Sequence, residues 1–270
     1  MDTVTSADGT RIAVHEDGDG RPVVIVNGAF STAQDAAPLA EQLAAAGMRA
    51  ITYDRRARGG SGHTPPVDPH REVEDLAAVS AAAGPGVVVI GHSSGAVLAL
   101  LAAAEGVPMA HLFLSEPPFR FGEDEPDPAL PERLQRLVDD GREADAVLLF
   151  QREAIGLPDE VVEQIRGSDL FAALVPLAQS TVYDATLTRD VSTPTADMLS
   201  VAMPVTVLCG VQTFPFLRAA AERLASEIPH AEFVSMPESV GHRLDAAATA
   251  RLLRDVTRAD APDPGDHGGS

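Results

Sequence analysis

The stretch Val87-Val88-Val89-Ile90-Gly91-His92-Ser93-Ser94-Gly95-Ala96-Val97-Leu98-Ala99-Leu100 decides how this chain is read. Four consecutive apolar residues, all β-branched, suit a strand covered on both faces. The Ala/Leu-rich run from Ser94 to Glu105, stopped by Gly106, suits a helix. The reversal between them reads G-x-S-x-G, with Ser93 at its tip. Such a tight turn holds the serine at positive φ and projects its hydroxyl. The two glycines remove Cβ atoms that would strike the neighbouring strand and helix. The helix start then points its positive end at negative charge formed beside the hydroxyl. In this strand–turn–helix setting Ser93 is a candidate nucleophile.

The same alternation extends in both directions. Short apolar runs recur at Val23–Val26, Ala50–Tyr53, Leu112–Leu114, Val205–Leu208 and Phe233–Val234. Helical patterns lie between or after them at 33–46, 69–83, 216–227 and 244–258. Strands of this kind separated by helices predict βαβ units and a doubly wound α/β sheet. Ahead of them, Val4-Thr5 and Ile12–His15 flank Asp8-Gly9, a hairpin signal that predicts an antiparallel ribbon. Residues 119–200 break the pattern. They hold 17 acidic and 7 basic side chains, with helical stretches at 131–138, 143–155 and 158–166 and shorter pieces after Ser168. This predicts a helical insertion between core segments 1–118 and 201–258. Residues 259–270 read as a frayed tail.

Composition narrows the chemistry. The chain has 270 residues, 45% of them hydrophobic, enough for a sizeable core. Forty acidic against 20 basic side chains give −20, which argues against nucleic acid or an anionic membrane as partner and weakly against polyanionic substrates. Every basic residue is Arg. Without lysine there is no Schiff-base or pyridoxal-phosphate chemistry, no Walker P-loop and no S-x-x-K acyl enzyme. Cys209 is the single cysteine, so neither an internal disulfide nor a thiolate metal cluster is available. His70-Arg71-Glu72-Val73-Glu74 is not H-E-x-x-H, and no metal or cofactor is expected. The first residues lack a basic, then apolar, secretory pattern. The longest apolar stretches are broken by His92, Ser93, Ser94 and Glu105. The expectation is a cytoplasmic protein acting on a small molecule.

Three pieces together resemble the α/β-hydrolase family, here a small serine hydrolase with a helical cap. They are Gly91–Gly95, Tyr53-Asp54-Arg55-Arg56-Ala57-Arg58-Gly59-Gly60-Ser61-Gly62, and Gly241-His242, and the resemblance spans residues 3–258. It implies an eight-stranded, mostly parallel sheet with 119–200 as the cap, and a serine–histidine–acid triad. The family's histidine comes last in the chain, which implies His242. His15, His63, His70, His111 and His230 sit elsewhere, His92 lies under the turn and His267 is in the tail. The loop that usually supplies the acid, Gly210–Phe216, has no carboxylate. A minority of the family places the acid after the sixth strand, where Glu116 stands before Pro117-Pro118, so Glu116 is assigned. A dyad without an acid, or a carboxylate from the insertion such as Asp184, are the alternatives.

The resemblance also implies an oxyanion hole from the backbone N–H groups of Ser94 and Ala29, with Gly28 permitting the close turn. Asn27-Gly28 stands where the family commonly has His-Gly. Phe30, Phe119, Phe121, Phe214 and Phe216 follow strands, at the sheet edge where ligands of open α/β sheets bind, and with Gly28 form the expected pocket. Arg55, Arg56 and Arg58 read as structural ion pairs. The implied activity is hydrolysis of an ester, lactone or thioester with a moderately apolar acyl group, through an acyl-enzyme on Ser93. A serine at the elbow excludes epoxide hydrolases and haloalkane dehalogenases. A C–C bond hydrolase, an acyltransferase or a non-catalytic small-molecule binder are the alternatives.

Overall fold

Along each central strand both faces are apolar, and the structure shows two separate destinations for them. Val24, Val26, Val89, Leu112, Leu114 and Val207 face one core, while Val23, Ile25, Val88, Ile90, Phe113 and Leu208 face another. Period-two alternation between two buried layers is why Val23–Val26 and Val87–Ile90 carry no polar residue. The computed structural model describes residues 2–259; most of the tail read at 259–270 lies outside them.

The chain begins with β1 (Asp2–Thr5) and β2 (Arg11–Asp17), an antiparallel ribbon. It continues through β3 (Arg21–Val26), α1 (Ala37–Ala45), β4 (Met48–Tyr53), α2 (Pro69–Ala83), β5 (Val88–His92), α3 (Ser94–Ala104) and β6 (His111–Ser115). After the inserted helices come β7 (Val205–Gln212), α10 (Pro215–Glu227), β8 (Ala231–Val240) and α11 (Ala246–Ala259). The eight strands are ordered β1-β2-β4-β3-β5-β6-β7-β8, and every pair from β4 to β8 is parallel. Leu39 and Leu43 of α1 and Leu253 of α11 cover one face. Leu76 of α2, Leu224 of α10 and nearly all of α3 cover the other. No helix of the described residues is long and apolar enough to cross a membrane.

Between β6 and β7 lie α4 (Leu130–Asp139), α5 (Glu143–Glu153), α6 (Asp159–Arg166), α7 (Asp169–Leu174), α8 (Ala178–Asp190) and α9 (Ala196–Leu199). They share a small core of their own around Leu134, Val147, Phe150 and Val182. The expected short pieces after Ser168 include a 13-residue helix, α8. No amphipathic stripe announces it, because residues 180–187 are buried all round. Its hydroxyls are absorbed locally: Ser180, Thr181 and Thr186 donate to carbonyls three or four residues back. Helix α8 packs on α3, which explains why α3 needs no polar face.

The helix expected at 33–46 starts instead with a 3-10 turn at Ala33–Ala36. The strands expected to end at Leu208 and Val234 run on to Gln212 and Val240, with an irregularity between Gly210 and Gln212. Turn-forming Gly210 and Pro237 hid this extension, which Gly241 N–H closes by donating to Gln212 O at 2.8 Å. It carries the chain to His242.

Candidate active site

At the end of β5 the backbone turns with Ser93 at φ 54° and ψ −127°. A Cβ on Gly91 would lie 2.4 Å from Gly95 O, and one on Gly95 would lie 2.2 Å from Val26 O. Both obstacles are backbone, so no side chain can yield. Gly95→Ala is expected to destabilise the protein by about 3 kcal/mol or more, measured by urea unfolding. Ser93 Oγ makes no hydrogen bond among the described residues and fronts a cavity of about 690 Å³. Three of the seven non-glycine residues at positive φ among the described residues belong to this site: Ser93, Glu116 and His242. Backbone strain of this kind persists only where the surroundings enforce it.

His242 lines the same cavity. Its Nδ1–H donates to Glu116 Oε2, leaving Nε2 as the ring's acceptor. Glu116 is buried at the end of β6 and fully engaged. Gly210 N–H donates to Oε1 at 2.8 Å and Thr213 Oγ1 to Oε2 at 2.9 Å. Burial works to raise this carboxyl, but the hydrogen bonds from His242 and Gly210 outweigh it and hold it below the ordinary value. The end of β7 and the loop after it, though lacking a carboxylate, supply donors to one. Gly210 is needed there: a Cβ would stand 2.5 Å from Ser239 O. Cys209, just before it, is wholly buried, and burial followed by the Glu116 charge pushes its thiol up to about 11.

His92 braces His242 from beneath. Its Nε2–H donates to His242 O at 3.2 Å while Nδ1 faces Ser115 Oγ at 3.2 Å. Burial, then the neighbouring His242, pushes His92 down to about 4, so it stays neutral at neutral pH. His63 pairs with Tyr183, His70 with Glu105, His111 with Thr206 and His230 with Met203 O.

The loop after β3 presses on the elbow: a Cβ on Gly28 would lie 2.9 Å from Ser93 Cβ. Ala29 lines the cavity. Ser94 N–H, first in α3, has no carbonyl one turn back to serve it. Both segments are held by arginines from the loop after β4. Arg58 donates to Gly28 O at 2.6 Å, and Arg55 to Asn27 O at 3.1 Å and Ser94 Oγ at 3.1 Å. Asp184 of α8 joins them, accepting from Arg55 at 3.0 Å, Arg58 at 2.7 Å and Ser94 Oγ at 2.7 Å. Glu72 takes the remaining edge of Arg55. These groups are all buried. Asp184 is therefore committed to the arginines and Ser94, while Glu116 holds His242.

Of the aromatic residues expected in the pocket, Phe214 and Phe216 line the cavity and Gly28 does too, but Phe30, Phe119 and Phe121 do not. Phe30 turns toward the inserted helices, edge-on to Phe150 at 5.2 Å. Phe119 drops into the core beneath the sheet, with Phe121 packed beside it under the Arg223 guanidinium. Loop position placed them at the correct sheet edge, yet the side-chain direction is set by packing. Phe150 of α5 and Arg120 are on the wall and were not anticipated.

Residues 23–253 match the Alpha/beta hydrolase family, and the chain belongs to it. Among solved structures it is similar to an alpha/beta hydrolase from Sphaerobacter thermophilus, at 40% identity and TM-score 0.87, covering 95% of this chain and 100% of that one. The fold also matches a thermophilic esterase from Thermogutta terrifontis (23% identity, TM-score 0.69, 96% and 98% covered). An enol-lactonase from Burkholderia xenovorans shares it at 17% identity and TM-score 0.69, with 95% and 98% covered. No curated protein matches the chain.

Proposed function

We propose that this protein is a serine hydrolase of carboxylic esters, lactones or thioesters, working through an acyl-enzyme on Ser93. The observation that carries this reading is the Glu116–His242 contact on Nδ1. It leaves Nε2 to accept a proton, with Ser93 on the wall of the same cavity. His242 Nε2 takes the Ser93 hydroxyl proton as Oγ bonds to the substrate carbonyl carbon. The carbonyl oxygen becomes an oxyanion held by the Ala29 and Ser94 N–H groups. Imidazolium, stabilised by Glu116, returns the proton to the leaving oxygen or sulfur, and the C–O or C–S bond breaks. Water, deprotonated by His242, then attacks the acyl-enzyme, and the acid and free Ser93 are released.

The inserted helices act as a cap in this reading, with Phe150 on the wall of an acyl pocket that Phe214 and Phe216 also line. Esterase and lactonase activities named for proteins of the same fold agree with it. The test is intact-mass analysis after fluorophosphonate treatment, together with turnover of p-nitrophenyl butyrate. One adduct, absent from Ser93→Ala, and ester turnover are expected. No adduct, or one that survives Ser93→Ala, would overturn the proposal.

A further inference from the structure

Acids outnumber arginines two to one in this protein, and most arginines at the surface sit beside one. Arg120 does not. It follows β6 on the run Pro117-Pro118-Phe119, and its backbone N–H donates to Ser192 O at 2.7 Å. Its guanidinium lies 4.2 Å over the Phe216 ring, half-buried on the wall of the cavity that also holds Ser93 and His242. Among the described residues no carboxylate pairs with it.

The other charges on that wall do not satisfy it. Asp184 is neutralised by Arg55 and Arg58. Asp35 is exposed and tied to Thr32. Arg243, beside His242, adds a second cation that pairs with no carboxylate among the described residues. A guanidinium seated over an aromatic ring can still offer its N–H groups to a planar two-oxygen acceptor. A half-buried guanidinium left without a carboxylate in a protein with acid to spare is open to an anionic ligand in the cavity.

We propose that Arg120 is an anion subsite, and that the favoured substrates carry a carboxylate remote from the scissile bond. This rests on the hydrolase reading above. A single carboxylate fits better than a phosphate dianion, because the −20 protein repels a double charge more strongly at long range.

The experiment compares monomethyl adipate with neutral methyl hexanoate, following acid release in a pH-stat. R120Q is expected to lower the anionic-to-neutral ratio of kcat/KM by roughly tenfold or more. R120K should recover part of it, keeping the charge but not the fork. R136Q removes an exposed cation outside the cavity and should leave the ratio alone. An R120Q ratio equal to the wild-type ratio, or an equal loss in R136Q, overturns the subsite while leaving the hydrolase reading intact. If neither ester is turned over, calorimetry of adipate binding to S93A against S93A/R120Q decides. Weaker binding in the double variant supports the subsite and equal affinity overturns it. The hydrolase reading stands or falls separately, on the Ser93 adduct.

Discussion

Ser93→Ala is expected to lower kcat for p-nitrophenyl butyrate by about 10⁴-fold or more while leaving stability within about 0.5 kcal/mol. The first part follows from the proposed mechanism, in which Ser93 Oγ is the atom that bonds to the acyl carbon; the proposed backbone donors and the cavity would remain, so some rate above water should survive. The second follows from the hydroxyl making no hydrogen bond among the described residues and from alanine meeting the same φ of 54° that serine does. Glu116→Gln should approach a similar loss by another route. The amide presents a donor to His242 Nδ1, which favours the tautomer with its proton on Nε2, where the Ser93 proton must go. Steady-state kinetics with urea unfolding of each variant separates loss of chemistry from loss of fold. A Ser93→Ala protein retaining a tenth of wild-type kcat would remove this serine from the mechanism.

Asp184→Ala is expected to destabilise the protein by about 3–5 kcal/mol and to lower kcat. Two buried guanidinium groups would lose their shared carboxylate, and Ser94 Oγ its acceptor. The same arginines hold Gly28 O, Asn27 O and Ser94 Oγ, so both backbone segments of the proposed oxyanion hole would shift. Linkage adds a pH signature. Burial works to raise the Asp184 carboxyl, but Arg58 and Arg55 outweigh it and hold it below its ordinary value of 3.8. A carboxyl depressed by folding contributes its stability above that ordinary value and loses it as pH falls through the folded-state value. Wild-type urea midpoints should therefore fall below about pH 4, and Asp184→Asn should flatten that part of the curve. Unchanged stability in Asp184→Ala would show that the pair contributes nothing net.

The sheet was legible because its strands are buried on both faces: Val87–Ile90 and Val23–Val26 admit no polar residue, and that pattern has few other readings. The elbow was legible because Gly91 and Gly95 answer to backbone clashes, which any side chain would meet. Glu116 was expected from the family resemblance, in which a minority of members place the acid after the sixth strand, and the lack of a carboxylate in Gly210–Phe216 pointed to that minority. What stayed hidden depends on distant parts of the chain. Asp184 lies 126 residues from Arg58 and 129 from Arg55, with no local pattern linking them. Phe119 and Phe214 look alike in sequence, yet one is core and one cavity wall, since each orientation depends on neighbours supplied by other elements.

Cys209 turns a local detail into a stopwatch. Its sulfur is sealed in β7 beside Glu116, and its proton is held tightly enough that little thiolate exists at neutral pH. Alkylation in native buffer must wait for that part of the sheet to open, so the slow appearance of a single mass increment counts openings rather than surface reactivity. With no second sulfhydryl to confuse the count, one natural atom reports how often the carboxylate's anchorage comes apart.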